Sequence, residues 1–65
     1  MNDLDRNTLI KTEMVINDLT QEKLAELMHL SKMSVNLKLQ NKRDWSIKEI
    51  EKLAEIFGKE RNYFF

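Results

Sequence analysis

Lys32, Lys38, Lys42 and Arg43 share one segment, Ser31–Arg43, that contains no aspartate or glutamate. Ser34, Asn36, Gln40 and Asn41 are interleaved with them. Cations without neighbouring carboxylates attract an anion. Amides and hydroxyls both donate and accept, so they can read the polar edge of a flat partner. Neither set is equipped for covalent chemistry. The chain has no cysteine and a single histidine, His29. It therefore lacks the thiolate cluster or multi-histidine set a metal needs, and a paired base for a nucleophile. Acid pairs such as Glu49 and Glu51 are expected on a helix surface with no pocket beside them. The residues point to binding rather than catalysis, with no catalytic or metal site, no cofactor and no small-molecule substrate expected.

Eleven basic and eleven acidic residues cancel, whereas many nucleic-acid-binding domains are basic. The distribution matters more than the sum. Asp3, Asp5, Glu13 and Asp18 outnumber Arg6 and Lys11 before residue 20, and the stretch 46–65 is balanced. The acid-free segment is thus a local anomaly, to be weighed against an ordinary solvated face. At 65 residues the chain makes one domain, 1–65, burying about 60% of its unfolded surface. No apolar run approaches the ~18 residues of a membrane span. The beginning is polar and acidic, unlike a signal peptide. A cytoplasmic protein is expected, with no membrane partner.

The elements that must position these residues are helices. Proline is absent and Gly58 is the only glycine, so hairpin turns and alternating strands have no support. A first helix is expected over about Thr8 to Ile16, with Ile10 and Met14 inward, broken by Asn17-Asp18. Thr20 caps a second, about Gln21 to Met28, whose apolar stripe is Leu24, Ala25 and Met28. Ser31 caps a third, about Lys32 to Leu39, with Val35 and Leu39 inward, and Asn41 closes it. Ser46-Ile47-Lys48-Glu49 reads as a capping box opening a helix that runs to Phe57, with Gly58 past its end. Residues 60–65 add a short last turn, counted as a fifth helical element. Trp45 is expected in the core.

The stretch Gln21–Gln40 has a specific logic. Two short helices that cross closely need a small residue at the contact, Ala25, a tight turn at His29, and aliphatic anchors at Leu30 and Val35. In that arrangement, a helix-turn-helix over about 20–40, the second helix is shaped to lie in a DNA major groove with its first residues at the base edges.

With Leu19-Thr20-Gln21-Glu22, Leu24-Ala25-Glu26, Leu30-Ser31-Lys32 and the run SVNLKLQNKRDWSIKEIEKLAEIF from Ser34 to Phe57, the chain resembles the lambda-repressor-like, or Cro/C1-type, helix-turn-helix family over about residues 9–65. The run after Lys38 and the terminal Tyr63-Phe64-Phe65 are similar to small phage repressors of Gram-positive hosts. The resemblance implies an all-α, five-helix lambda-repressor-like DNA-binding domain. His29 and Asn41 depart from it, standing where the family has glycine. Both positions commonly need φ > 0, which His and Asn tolerate better than most residues.

Lys32, Met33, Ser34 and Asn36 are then expected at DNA bases. Lys32 suits guanine O6 or N7, Asn36 suits adenine N6 and N7, and Met33 suits a thymine methyl. Leu37 is expected outward in the same register. The resemblance and the charge place Gln40, Asn41, Lys42 and Arg43 at phosphates. Lys38 joins them, its stem along the core edge. The resemblance alone places Gln21 there, at a helix N-terminus. Leu27, Tyr63, Phe64 and Phe65 are candidates for a dimer surface, or else the aromatics close the core. The expected function is a sequence-specific transcriptional regulator, a Cro-type repressor that binds a palindromic double-stranded operator as a homodimer. The rival readings are a protein-interaction module or antirepressor on the same fold, and an antitoxin.

Overall fold

The computed structural model describes residues 5–65. They form four α-helices and, among those residues, no strand: α1 (Arg6–Ile16), α2 (Gln21–Met28), α3 (Lys32–Leu39) and α4 (Ile47–Ile56). Each begins with a side-chain oxygen that accepts an otherwise unpaired backbone N–H. Asp5 accepts from Thr8 N, Thr20 from Lys23 N, Ser31 from Ser34 N and Ser46 from Glu49 N. The Asp5 cap starts α1 two residues before the expected Thr8. The capping box at Ser46 and Glu49 is present as expected.

All four helices end alike. In each, the second residue past the turn donates back to the carbonyl five positions earlier: Leu19 to Met14 (2.8 Å), Leu30 to Ala25 (2.9 Å), Lys42 to Leu37 (2.9 Å) and Lys59 to Ala54 (2.8 Å). The residue before it is left-handed, namely Asp18 (φ 54°), His29 (φ 60°), Asn41 (φ 64°) and Gly58 (φ 68°). This is the Schellman ending, which satisfies helix-end carbonyls and favours glycine. Only the last position has one. The positive φ expected of His29 and Asn41 is therefore observed, and Asp18 adds a third non-glycine case.

α2 packs against α3 and α4, and α1 packs against α3. Ile10, Leu24, Val35, Leu39 and Leu53 are essentially inaccessible and form one core, with Trp45 and Phe57 also buried. Residues 60–65 correct the five-helix expectation. They form turns, with Tyr63 N donating to Glu60 O and Phe65 N to Asn62 O. So short a segment does not sustain a helix alone; it is held by burial of Phe64, whose ring meets Phe57 and Tyr63 edge-on at 5.9 and 4.9 Å. Arg6 Nε also donates to Phe64 O at 2.8 Å. No helix among the described residues is long and apolar enough to cross a membrane.

Candidate nucleic-acid interface

The outward stripe of α3 follows from its register. Val35 and Leu39 face the core, so Lys32, Met33, Asn36, Leu37 and Gln40, spaced by three and four, lie toward the other side. Lys32 and Met33 are exposed, Met33 by 72%, while Ser34, Asn36 and Leu37 are half-buried. Leu37 is thus less exposed than its register suggested.

Asn36 is tied on both sides. Its Nδ2 donates to Gln21 Oε1 at 3.0 Å, and its Oδ1 accepts from Gln40 Nε2 at 2.6 Å. A chain of three amides therefore runs from the first residue of α2, across the middle of α3, to the residue that ends α3. Three residues singled out separately in the sequence form one unit. Beyond these two bonds Asn36 keeps one Nδ2 N–H and one Oδ1 lone pair.

Beyond Gln40 lies the loop carrying Lys42 and Arg43, and a buried asparagine anchors it. Asn7 Nδ2 donates to Lys38 O and to Asn41 Oδ1, both at 2.7 Å. Its Oδ1 accepts from Trp45 Nε1 at 2.7 Å. Every hydrogen-bonding group of the Asn7 side chain is used for α3, the loop or the tryptophan beyond it. A half-satisfied buried amide would be strongly unfavourable, so the network fixes where the loop leaves α3. Asn41 stays exposed, with its Oδ1 drawn into this network.

Lys38 corrects the sequence expectation. Its side chain is only 12% exposed, and Nζ sits 2.6 Å from Glu49 Oε1 and 5.5 Å from the centre of the Trp45 ring. The stem follows the core edge as expected, but the ammonium is held by the capping-box acid of α4 rather than free for a phosphate. For Glu49, burial pushes the carboxyl upward. The Lys38 hydrogen bond, the Ser46 backbone N–H and the Lys38 charge outweigh it, holding Glu49 below its ordinary 4.5. Asp5 is likewise lowered, by hydrogen bonds from Thr8.

Among the described residues, Lys32, Lys42 and Arg43 make no ion pair. The start of α3 and its following loop thus present cations with no acid within ion-pair distance, although Asp44 follows Arg43 in the chain. Sequence reasoning missed Lys11 and Asn7. Lys11, exposed on α1, lines a shallow cleft with Thr20 and Gln21 at the start of α2. Its charge was visible in the sequence, but its proximity to α2 was not.

The remaining candidates separate. Phe64 is 1% exposed and cannot belong to a surface, because its ring fills the gap between Phe57 and the chain end. Leu27, Tyr63 and Phe65 are exposed, by 37%, 40% and 57%. Tyr63 is also fastened inward, its hydroxyl donating to buried Glu13 at 3.3 Å. No group of three or more His, Cys, Asp or Glu suited to a metal occurs among the described residues. Compared with protein families, curated proteins and solved structures, the chain gives no match.

Proposed function

We propose that the chain is a sequence-specific double-stranded DNA-binding regulator of the lambda-repressor-like type, with α2 and α3 as its helix-turn-helix. The observation that carries this reading is the set Lys32, Lys42 and Arg43, without ion pairs among the described residues, on and just beyond a helix whose outward side mixes polar residues with Met33 and Leu37. Lys32 and Met33 stand at the exposed start of α3, where a groove-reading helix meets base edges. Lys42 and Arg43 supply phosphate contacts, which position the protein and make affinity salt-dependent. Asn7 and Trp45 support this by holding the loop rigid. Exposed Leu27, Tyr63 and Phe65 are the candidate contacts for a homodimer on a palindromic operator, in the manner of a Cro-type phage repressor acting in the cytoplasm.

Selection of bound duplexes from a random library tests the reading. Enrichment of one short site, repeated in inverted orientation if two copies bind, is the expected result. No enrichment would overturn it. A protein-partner function on the same fold draws on Val15 and Ile16, which are 80% and 68% exposed at the end of α1. That reading gains ground if Val15→Ser with Ile16→Ser abolishes a protein complex while the selection yields no duplex.

A further inference from the structure

Met33 is the large apolar side chain of α3 that the core does not use. Val35 and Leu39 are buried and Leu37 is half-buried, whereas Met33 is 72% exposed on the first turn. The other methionines among the described residues, Met14 and Met28, are each 8% exposed and belong to the core. The chain has no cysteine, so no thiol competes for an oxidant. An oxidant must reach a thioether sulfur to react with it, and here the accessible sulfur sits on the helix proposed to read DNA.

Building on the duplex-binding reading, we propose that Met33 is an oxidative modification site: a hydroperoxide converts its thioether to the sulfoxide and releases the protein from DNA, and reduction of the sulfoxide restores binding. The sulfur lone pair attacks the peroxide. An S–O bond forms as the O–O bond breaks, the sulfur gives up an electron pair, and hydrogen peroxide leaves as water. The product is polar and flexible no longer in the apolar sense that suits a thymine methyl. Its oxygen only accepts hydrogen bonds, and the major groove offers it the N7, O6 and O4 acceptors of the bases. Oxidation confined to Met33 leaves the core sulfurs of Met14 and Met28 intact, so binding is lost without unfolding. Bound DNA covers the same side chain, which makes the free protein the form that is oxidised.

The test treats the parent chain with hydrogen peroxide, maps the oxidised residues by peptide mass spectrometry, and reads affinity for the duplex selected by the parent by fluorescence anisotropy. Met33 is expected to gain oxygen well before Met14 and Met28, with the circular dichroism spectrum unchanged. Affinity should fall about tenfold, as for the loss of part of a methionine's apolar burial. It should return on treatment with the sulfoxide reductases for both epimers. Duplex present during the peroxide treatment should slow oxidation of Met33. Met33→Leu has an apolar side chain without the sulfur and still carries Met1, Met14 and Met28. Whatever its own affinity, the same peroxide dose should not lower it. Full oxidation of Met33 with affinity unchanged, an equal peroxide loss in Met33→Leu, or oxidation of Met33 no sooner than Met14 and Met28 would overturn the inference while leaving the duplex reading intact. A parent chain that enriches no duplex would overturn both.

Discussion

The segment Ser31–Arg43 and the segment Ser46–Phe65 carry similar cations in opposite surroundings. In the second, three of four cations pair among the described residues, Lys52 with Glu55, Lys59 with Glu13 and Arg61 with Glu51, at 3.5, 3.6 and 3.7 Å, and Lys48 does not. In the first, among the described residues, only Lys38 finds an acid, and that acid belongs to α4. Zero net charge therefore describes the sum and not the surface. One segment pairs most of its cations, and the other leaves most of its charge open to a partner. A neutral protein can bind a polyanion through such a segment, with weak attraction elsewhere.

The contrast breaks most visibly in binding. Lys42→Ala with Arg43→Ala is expected to weaken affinity for the selected duplex on the order of 100-fold at low salt, about tenfold for each charged contact. Lys52→Ala with Arg61→Ala, an equal change in charge, is expected to alter it less than threefold. Fluorescence anisotropy with labelled duplex measures both. Equal losses would mean that net charge, not its placement, governs binding.

Lys38 sharpens the comparison, being the one cation of the first segment that behaves like those of the second. Lys38→Met keeps the stem against Trp45 but leaves a half-buried Glu49 without its cation. A loss of about 2 kcal/mol in urea unfolding is expected, with little change in duplex affinity. The same carboxylate gives the pH dependence. Its folded value lies below the ordinary one of 4.5. Its contribution is therefore fully present above that range and is lost as pH falls through the lower folded value. Glu49→Gln is expected to flatten the stability profile below about pH 4.5, leaving the part due to Asp5. An unchanged profile would remove Glu49 from the account.

A smaller effect separates the two non-glycine turns that flank α3. His29 occupies the left-handed region (φ 60°) with no side-chain bond among the described residues. His29→Gly relieves that strain and is expected to add about 0.5–1 kcal/mol of stability. Asn41 has a similar φ, but its side chain accepts from Asn7. Asn41→Gly relieves strain while removing a bond to a buried amide, and is expected to give no gain. Thermal unfolding of the two variants decides it.

These turns also show how much was legible in the sequence. Helix starts at Thr20, Ser31 and Ser46 were readable because a capping hydroxyl before an apolar stripe is a local signal. α1 was read late because Asp5 precedes its apolar stripe. The exposure of Lys32 and Met33 follows from register alone. What escaped was non-local. Asn7 meets partners 31, 34 and 38 residues away, and no periodicity distinguishes its buried amide from an exposed one. Glu13 is buried because Tyr63 and Lys59 come to it from the chain end. Lys38 was read as a surface cation because the capping box at Ser46 shows that Glu49 serves its own helix, not that it also faces α3.

The account rests on the open charge of the α3 side, and the salt dependence of duplex binding measures it most directly. With Lys32, Lys42 and Arg43 each displacing a counterion, the plot of log affinity against log salt concentration is expected to fall with a slope of about −3 for each bound protomer. Lys42→Ala with Arg43→Ala should bring it to about −1 for each protomer. A parent slope near zero, or one that Lys52→Ala with Arg61→Ala reduces as much, would contradict the placement of the binding surface.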